Sequence, residues 1–244
     1  MKKFAVFCPV KNESTFSSIW IDYYSRFLPI EDIYFLDFNS DSTNYKCNII
    51  KSDKNILDAN QLFQSIKETH KELLSTYEYV IPTDVDEILF HPDGLDNYIN
   101  NFNGNYVKCS GYEIIHMPNI EPDFNNSKKI LDQRRFWFRS QDYYDKTLIT
   151  NKPLNWTIGL HTCYDPIDTI NSDLLLIHLH RFDYRICIDR HLKYANLDWS
   201  ENTINNNYNW HYRTKEEESI RKWYFSDINN ITEIPNELKV SINI

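Results

Sequence analysis

The chain has 244 residues, enough to bury a sizeable core as one domain or one domain with an appendage. Its formal net charge of −9 excludes a nucleic-acid binder working through a basic face, but not a small phosphorylated ligand, because one cation can reverse a local field. The five cysteines (Cys8, Cys47, Cys109, Cys163 and Cys187) are odd in number and form no C-x-x-C, which argues against a disulfide framework or zinc knuckle and for reduced packing thiols.

Residues 4–10 are a short apolar run that reads as a buried first strand emptying into Lys11-Asn12-Glu13. Ser14, Thr15 or Ser17 then caps a helix with Ile19, Trp20, Tyr23, Tyr24 and Phe27 at helical spacing, stopped at Pro29. Residues 33–38 are a second strand followed by the turn-rich Asn39-Ser40-Asp41-Ser42-Thr43, and a brief third strand falls near residues 48–50. Leu62, Phe63, Ile66, His70, Leu73 and Leu74 mark a helix within residues 56–76.

Residues 79–90 follow, with Asp84 and Asp86 between apolar runs, as expected of a buried strand delivering acids to a cleft. Ile88, Leu89 and Phe90 draw these carboxylates toward the core, where they need water, hydrogen bonds or a cation. A hard divalent ion such as magnesium or manganese satisfies them and fills its open positions with phosphate oxygens. The plainer alternative is an acidic turn in which Asp86 or Glu87 caps a helix. Strands alternating with helices imply a parallel sheet, whose ligands bind beyond the carboxyl ends of the strands. Residues 11–13, 37–41 and 84–86 all fall there.

Residues 106–116 read as a strand whose Glu113 and His116 face an acceptor side, and residues 118–129 form a loop long enough to bind. Arg134, Arg135 and Arg139 surround Phe136-Trp137-Phe138, and residues 146–149 are another short strand. The stretches ending at His161 and at His178-Leu179-His180-Arg181 supply imidazoles. His178 and His180 alternate and so share a face, which also suits a zinc hydrolase, but no compact third ligand and general base accompany them. Each of these histidines has the alternative of a hydrogen-bonded core residue. The six Trp and seventeen Tyr suit sugar rings but are more often core. Residues 196–244 read as a polar connection and an amphipathic helix with Ile220, Trp223 and Tyr224, packed on the domain's edge; Glu216 to Glu218 would repel an anionic membrane.

Lys11-Asn12-Glu13, Asp37-Phe38-Asn39-Ser40-Asp41 and Asp84-Val85-Asp86-Glu87, in that order, together resemble the nucleotide-sugar site of a family 2-type glycosyltransferase with the A-type fold. Gly159-Leu160-His161, then a strand ending in His178-Leu179 and a basic helix, extend the resemblance, which covers roughly residues 1–195. It implies an α/β fold with a Rossmann-like, mostly parallel sheet flanked by helices. Residues 1–195 would be the catalytic domain and 196–244 a C-terminal helical extension packed on it.

The implied activity is transfer of a sugar from a nucleotide-diphosphate donor, UDP- or GDP-linked, to a hydroxyl of a glycan or other acceptor, with inversion and with Mn2+ or Mg2+. Pro9, Lys11, Glu13, Asp37, Ser40, Asp41, Asp84, His161 and His180 would bind the nucleotide sugar. Asp84, Asp86 and His178 would hold the metal; His178 is preferred over His161 because residues 174–177 form an apolar strand that can lie beside the acidic one. The base would come from Glu113, Glu121 or Asp142, with Glu113 first because a strand holds it. Nucleic acid is not an expected partner. Without a leader-like or membrane-spanning apolar stretch the expected setting is soluble and cytoplasmic. A nucleotidyltransferase fits less well, because no glycine precedes Gly94 to build a phosphate-cradling loop; an inactive carbohydrate-binding protein would have no use for the acids.

Overall fold

The computed structural model describes the chain apart from residues 43, 140–143 and 166–168 and the side chains of 169–172. Among the described residues, ten strands and eight α-helices follow in the order β1 (Lys2–Val10), α1 (Ser14–Tyr24), β2 (Ile33–Asp37), β3 (Asn48–Lys51), α2 (Ala59–Leu73), β4 (Tyr77–Pro82), β5 (Glu87–Phe90), α3 (Leu95–Asn101), β6 (Tyr106–Ile115), α4 (Ile130–Gln133), β7 (Phe136–Phe138), β8 (Lys146–Thr150), β9 (Thr169–Arg181), α5 (Tyr184–Ala195), α6 (Glu201–Asn205), α7 (Glu217–Tyr224), β10 (Thr232–Glu233) and α8 (Asn236–Ile242).

The first half is parallel: β4, β1, β2 and β3 are neighbours, with Phe4 opposite Tyr79 and Val6 opposite Ile33. Phe4, Ala5, Val6, Phe7 and Cys8 are all buried because helices cover both faces of such a strand, which explains a continuous apolar run in place of alternation. The sheet as a whole is mixed, not mostly parallel. Beyond β4 the pairings β4–β8, β6–β8, β6–β7, β5–β9 and β7–β10 are antiparallel, while β9 runs parallel to β6. Antiparallel neighbours do not need the long crossover that parallel ones do, and among the described residues between β6 and β8 the only elements are the four-residue α4 and the three-residue β7.

Three local expectations shift, the first being the cap of α1: its N-cap is Glu13, without a side-chain bond, and not Ser14, Thr15 or Ser17. Helix α1 ends at Tyr24, ahead of Pro29, in 3₁₀-type bonds from Arg26 N–H to Tyr23 O and Phe27 N–H to Tyr24 O. Residues 79–90 are not one strand: β4 stops at Pro82 and β5 starts at Glu87, so Asp84 and Asp86 lie in the turn between. The Glu87 carboxylate accepts from Asp84 N–H at 2.9 Å and closes that turn. Helix α1 holds it from below. The Trp20 indole donates to Thr83 Oγ1 (2.9 Å), Tyr23 O–H donates to Leu89 O, and Leu89 N–H donates to Tyr24 Oη (2.9 Å each), so α1 satisfies backbone groups of β5.

Residues 196–244 contribute β10 to the main sheet and Ile234, Ile242 and Ile244 to the main core, while Ile220 and Tyr224 bury one face of α7. No helix of the described residues is long and apolar enough to cross a membrane.

Candidate active site

A cleft of about 270 Å3, near the lower end of the usual range of about 300–1,000 Å3 for ligand pockets, opens at the carboxyl ends of β1 and β4. Pro9, Lys11 and Glu13 reach it from the loop after β1; Asp84, Asp86 and Glu87 from the acidic turn; and His178 and His180 from β9. His161 enters from a loop in which Gly159 (φ 83°) and Leu160 (φ 63°) take left-handed conformations. One wall is apolar, formed by Leu62, Phe63 and Ile66 of α2. That helix is started by Asp58, whose carboxylate accepts from the N–H groups of Asn60 and Gln61 at 3.0 Å. The opposite rim comes from α5 and residues 199–223, including Arg190, Tyr194, His211, Tyr212 and Trp223.

The acids of the turn meet cations of the protein. Lys146, buried at the start of β8, places Nζ 2.7 Å from Asp84 Oδ2 and 2.5 Å from Glu87 Oε1. Arg190 places Nη1 2.5 Å from Asp86 Oδ2 and Nε 2.9 Å from Glu13 Oε1, which also accepts from Tyr194 O–H at 2.6 Å. Every carboxylate lining the cleft, among the described residues, is thus paired with Lys146 or Arg190. Burial alone would raise the Asp84 carboxyl, but the Lys146 ammonium outweighs it and holds it at about 2. Glu87 shares the same ammonium and is more deeply buried, and burial pushes it up to about 8.

The loops after β1 and β2 are clasped together. Asn12 N–H donates to Ser40 Oγ (3.0 Å), Asp41 N–H donates to Asn12 Oδ1 (2.8 Å), and the Asn12 side-chain amide donates to Asp41 Oδ2 (3.0 Å). Asn12 (φ 56°) and Asn39 (φ 55°) supply the left-handed residues these turns need. Asp37 is fully buried and pairs with Lys51 at 2.6 Å. Asp37, Ser40 and Asp41 therefore shape the Lys11 loop and lie outside the cleft lining.

The other sequence candidates divide. Glu113 is 1% exposed and outside the lining; its Oε1 accepts from Arg181 N–H at 2.9 Å, and burial raises its carboxyl to about 8, opposed by the Arg181 charge. Glu121 accepts from Met117 N–H (2.7 Å) and Arg135 N–H (2.5 Å), so it fastens the loop at 118–129. His116 lies within that structural network, 3.4 Å from Asp183, which also pairs with the buried Arg134. Asp142 lies outside the described residues.

Residues the sequence reading did not single out carry much of the corner: Lys146, Arg190, Tyr194 and the aromatic and histidine group at 210–223. A lysine opening a strand built around Leu148 and Ile149 was a usable signal for Lys146, since a buried ammonium requires acidic partners.

The donor set of a Mn2+ or Mg2+ site at Asp84, Asp86 and His178 can be tested on these contacts, and it does not fit. His178 Nδ1 lies 3.4 Å from Glu87 Oε1 and Nε2 3.3 Å from Tyr144 O, and both aspartates engage protein cations. The three do not gather their ligand atoms within 4.8 Å of one another; among the described residues only His180, Cys187 and His191 do. Burial, with Lys146 nearby, lowers His178 to about 4 and His161 to about 3, so both imidazoles are neutral at pH 7.

No family model and no curated protein matches the chain. Among solved structures it is similar to S. aureus TarS, at 13% identity and a TM-score of 0.44, over 93% of this chain and 44% of that one, so it spans less than half of TarS. The 1–349 form of TarS in complex with UDP gives 12% identity and a TM-score of 0.38, over 93% and 73% of the two chains. GalNAc-T7 with UDP, GalNAc and Mn2+ gives 8% identity and a TM-score of 0.40, over 94% and 57%.

Proposed function

We propose that the protein is a glycosyltransferase that moves a sugar from a nucleotide diphosphate, UDP- or GDP-linked, to a hydroxyl of a glycan or other acceptor. The observation that carries this reading is the convergence of Lys11-Asn12-Glu13, Asp84-Val85-Asp86 and the end of β9 on one cleft, although they are far apart in sequence. These are the segments whose motifs resemble the nucleotide-sugar site.

Base and ribose lie in the cleft against the Lys11 loop, which the Ser40-Asp41 turn braces from behind, and the diphosphate points toward Arg190 and the acidic turn. The acceptor oxygen attacks the anomeric carbon, the bond to the diphosphate breaks with its electron pair leaving on phosphate oxygen, and a carboxylate takes the hydroxyl proton. Charge that grows on the leaving diphosphate is met by the fixed guanidinium of Arg190 and the Lys11 ammonium; preorganised charge of this kind stabilises the transition state without reorganisation. Binding frees Asp86 and Glu13 from Arg190, and Tyr194 O–H remains to donate to Glu13. Glu113, in register with His178, is the proposed base through its ionised fraction, since a carboxyl raised to about 8 is largely protonated at pH 7, and donor binding would have to open its buried position to the acceptor.

Calorimetric titration and thermal unfolding with UDP and GDP, in EDTA and then with Mn2+ or Mg2+, test the reading. A nucleoside diphosphate at a hundredfold excess over its dissociation constant should stabilise the protein by about 2.7 kcal/mol. Arg190→Gln should abolish that gain. Binding lost in Asp86→Ala and restored only by metal, with Arg190→Gln unaffected, would return the diphosphate to a divalent ion, and no binding of either nucleotide under any condition would sink the glycosyltransferase reading. Glu113→Gln should then bind donor normally and lose turnover.

A further inference from the structure

We propose that His180, Cys187 and His191 form a binding site for a zinc-type divalent cation, separate from the acidic turn. His180 is the second-last residue of β9, and Cys187 and His191 stand four apart on α5, so they share one helix face turned toward the strand end. Their ligand atoms lie within 4.8 Å of one another, and His180 Nε2 is 2.8 Å from His191 Nε2. Cys187 and His191 are fully buried, while His180 borders the cleft.

The donors specify the ion. Two imidazole nitrogens and one thiol sulfur suit zinc and its softer relatives and not magnesium or manganese. Tetrahedral zinc, with bonds of about 2.0–2.1 Å to nitrogen and about 2.3 Å to sulfur, spaces its ligand atoms about 3.3–3.6 Å apart, so seating the ion needs the two nitrogens to part by roughly half an ångström. The second layer is already in place. His191 Nδ1 lies 3.0 Å from His211 O, so it carries the proton and leaves Nε2 with its lone pair, and a carbonyl behind a ring nitrogen is the usual arrangement behind a metal-bound imidazole. Tyr212 Oη lies 3.4 Å from His180 Nδ1.

Loading balances as follows. His180 moves its ring proton from Nε2 to Nδ1, where Tyr212 Oη accepts it, and stays neutral. Cys187 releases its thiol proton to solvent, and the sulfur pair forms the bond to the metal. One proton leaves per cation bound, and the site keeps a net charge of +1. Burial pushes the Cys187 thiol up, with Glu113 and Asp86 acting the same way and Arg181 and Arg190 against them, so the incoming cation must displace a tightly held proton; both arginines act on the two imidazoles as well. Burial keeps both imidazoles neutral, as ligands must be. The ion would pin β9, α5 and the turn at Trp210–Arg213 together, behind the arginine that faces the acidic turn.

The test uses the reduced, EDTA-treated full chain titrated with Co2+. A thiolate-to-cobalt charge-transfer band and tetrahedral d–d bands should rise to saturation at one equivalent and be bleached by Zn2+ but not by Mg2+. Cys163→Ser should keep the band; Cys187→Ser and His180→Ala, each checked for folding by circular dichroism, should lose it. X-ray absorption on the zinc-loaded wild-type protein needs no variant and should show one sulfur in the first shell. A shell of nitrogen and oxygen alone, no cobalt spectrum in the wild type, or a band surviving in folded Cys187→Ser would overturn the proposal.

Discussion

His178 and His180 stand one pleat apart on β9 and both reach the cleft, yet they meet different surroundings. His178 is in register with Glu87 of β5 and so joins the corner of carboxylates and cations built on Asp84, Asp86, Lys146 and Arg190. His180 lies beyond the end of β5 and meets instead the rings of His191, Tyr212 and Trp223, at centroid distances of 5.0, 5.1 and 5.2 Å. A strand's alternation determines only which face a residue takes; what lies opposite is supplied by whichever element packs there. The hard and soft corners are therefore two separable units joined through one strand and Arg190.

The separation is most severely tested at Lys146. Lys146→Met removes the donor that Glu87 and Asp84 share and should cost about 1–3 kcal/mol in denaturant unfolding, the range for buried groups left without their partner, reduced by whatever relief the half-exposed Asp84 finds in water. Cobalt binding at His180, Cys187 and His191 should persist in the folded fraction. Its loss would join the two corners into one unit.

Gly111 offers a second wedge. A Cβ there would lie 2.2 Å from Tyr144 O, so Gly111→Ala must displace the backbone that carries Tyr144 into the cleft and leads to Lys146. Overpacking of this kind costs about 1–3 kcal/mol, and the displacement should weaken nucleotide binding while leaving the His180 group alone. Wild-type stability in Gly111→Ala would show that this segment yields freely.

The last test is of pH dependence. His70, His161 and His178 have folded-state affinities lowered to about 4, 3 and 4 by burial, so the unfolded chain binds more protons and their contribution is lost as pH falls below about 6.5. Glu87 and Glu113 are raised to about 8, so the folded chain holds more protons and their contribution is lost as pH rises from about 4.5 through 8. Between about pH 4.5 and 6.5 the three histidines outweigh the two acids by one proton, so stability should rise by about 1.4 kcal/mol per pH unit, more steeply because His191 and His211 are lowered in the same way, and above 6.5 the acids alone should make it fall. Glu113→Gln should flatten the alkaline fall; stability that climbs steadily to pH 8 would contradict the buried-acid assignment.

Much of the cleft was legible from local pattern. Apolar runs ending in polar loops placed Lys11 to Glu13 and Asp84 to Asp86 at strand ends, and parallel strands bring such ends together. The apolar run before His178 correctly announced a strand beside the acidic turn, because Leu174, Leu176 and Ile177 can be buried only within a sheet. The break after Pro82 was not legible: the run 79–90 is apolar on both sides of the acids, and only the bonds from Trp20, Tyr23 and Tyr24 show where the chain turns.

By itself, the sequence determined the strand ends, the helix faces and the residue types offered to the cleft, since burial and hydrogen-bond satisfaction act locally along the chain. Only the tertiary structure decided who meets whom: Lys146 beneath Asp84 and Glu87, Arg190 between Asp86 and Glu13, and Cys187 beside His180 and His191. Charge pairing and ligand geometry depend on separations of a few ångströms between elements far apart in sequence, and those distances arise only when the sheet and helix α5 have packed.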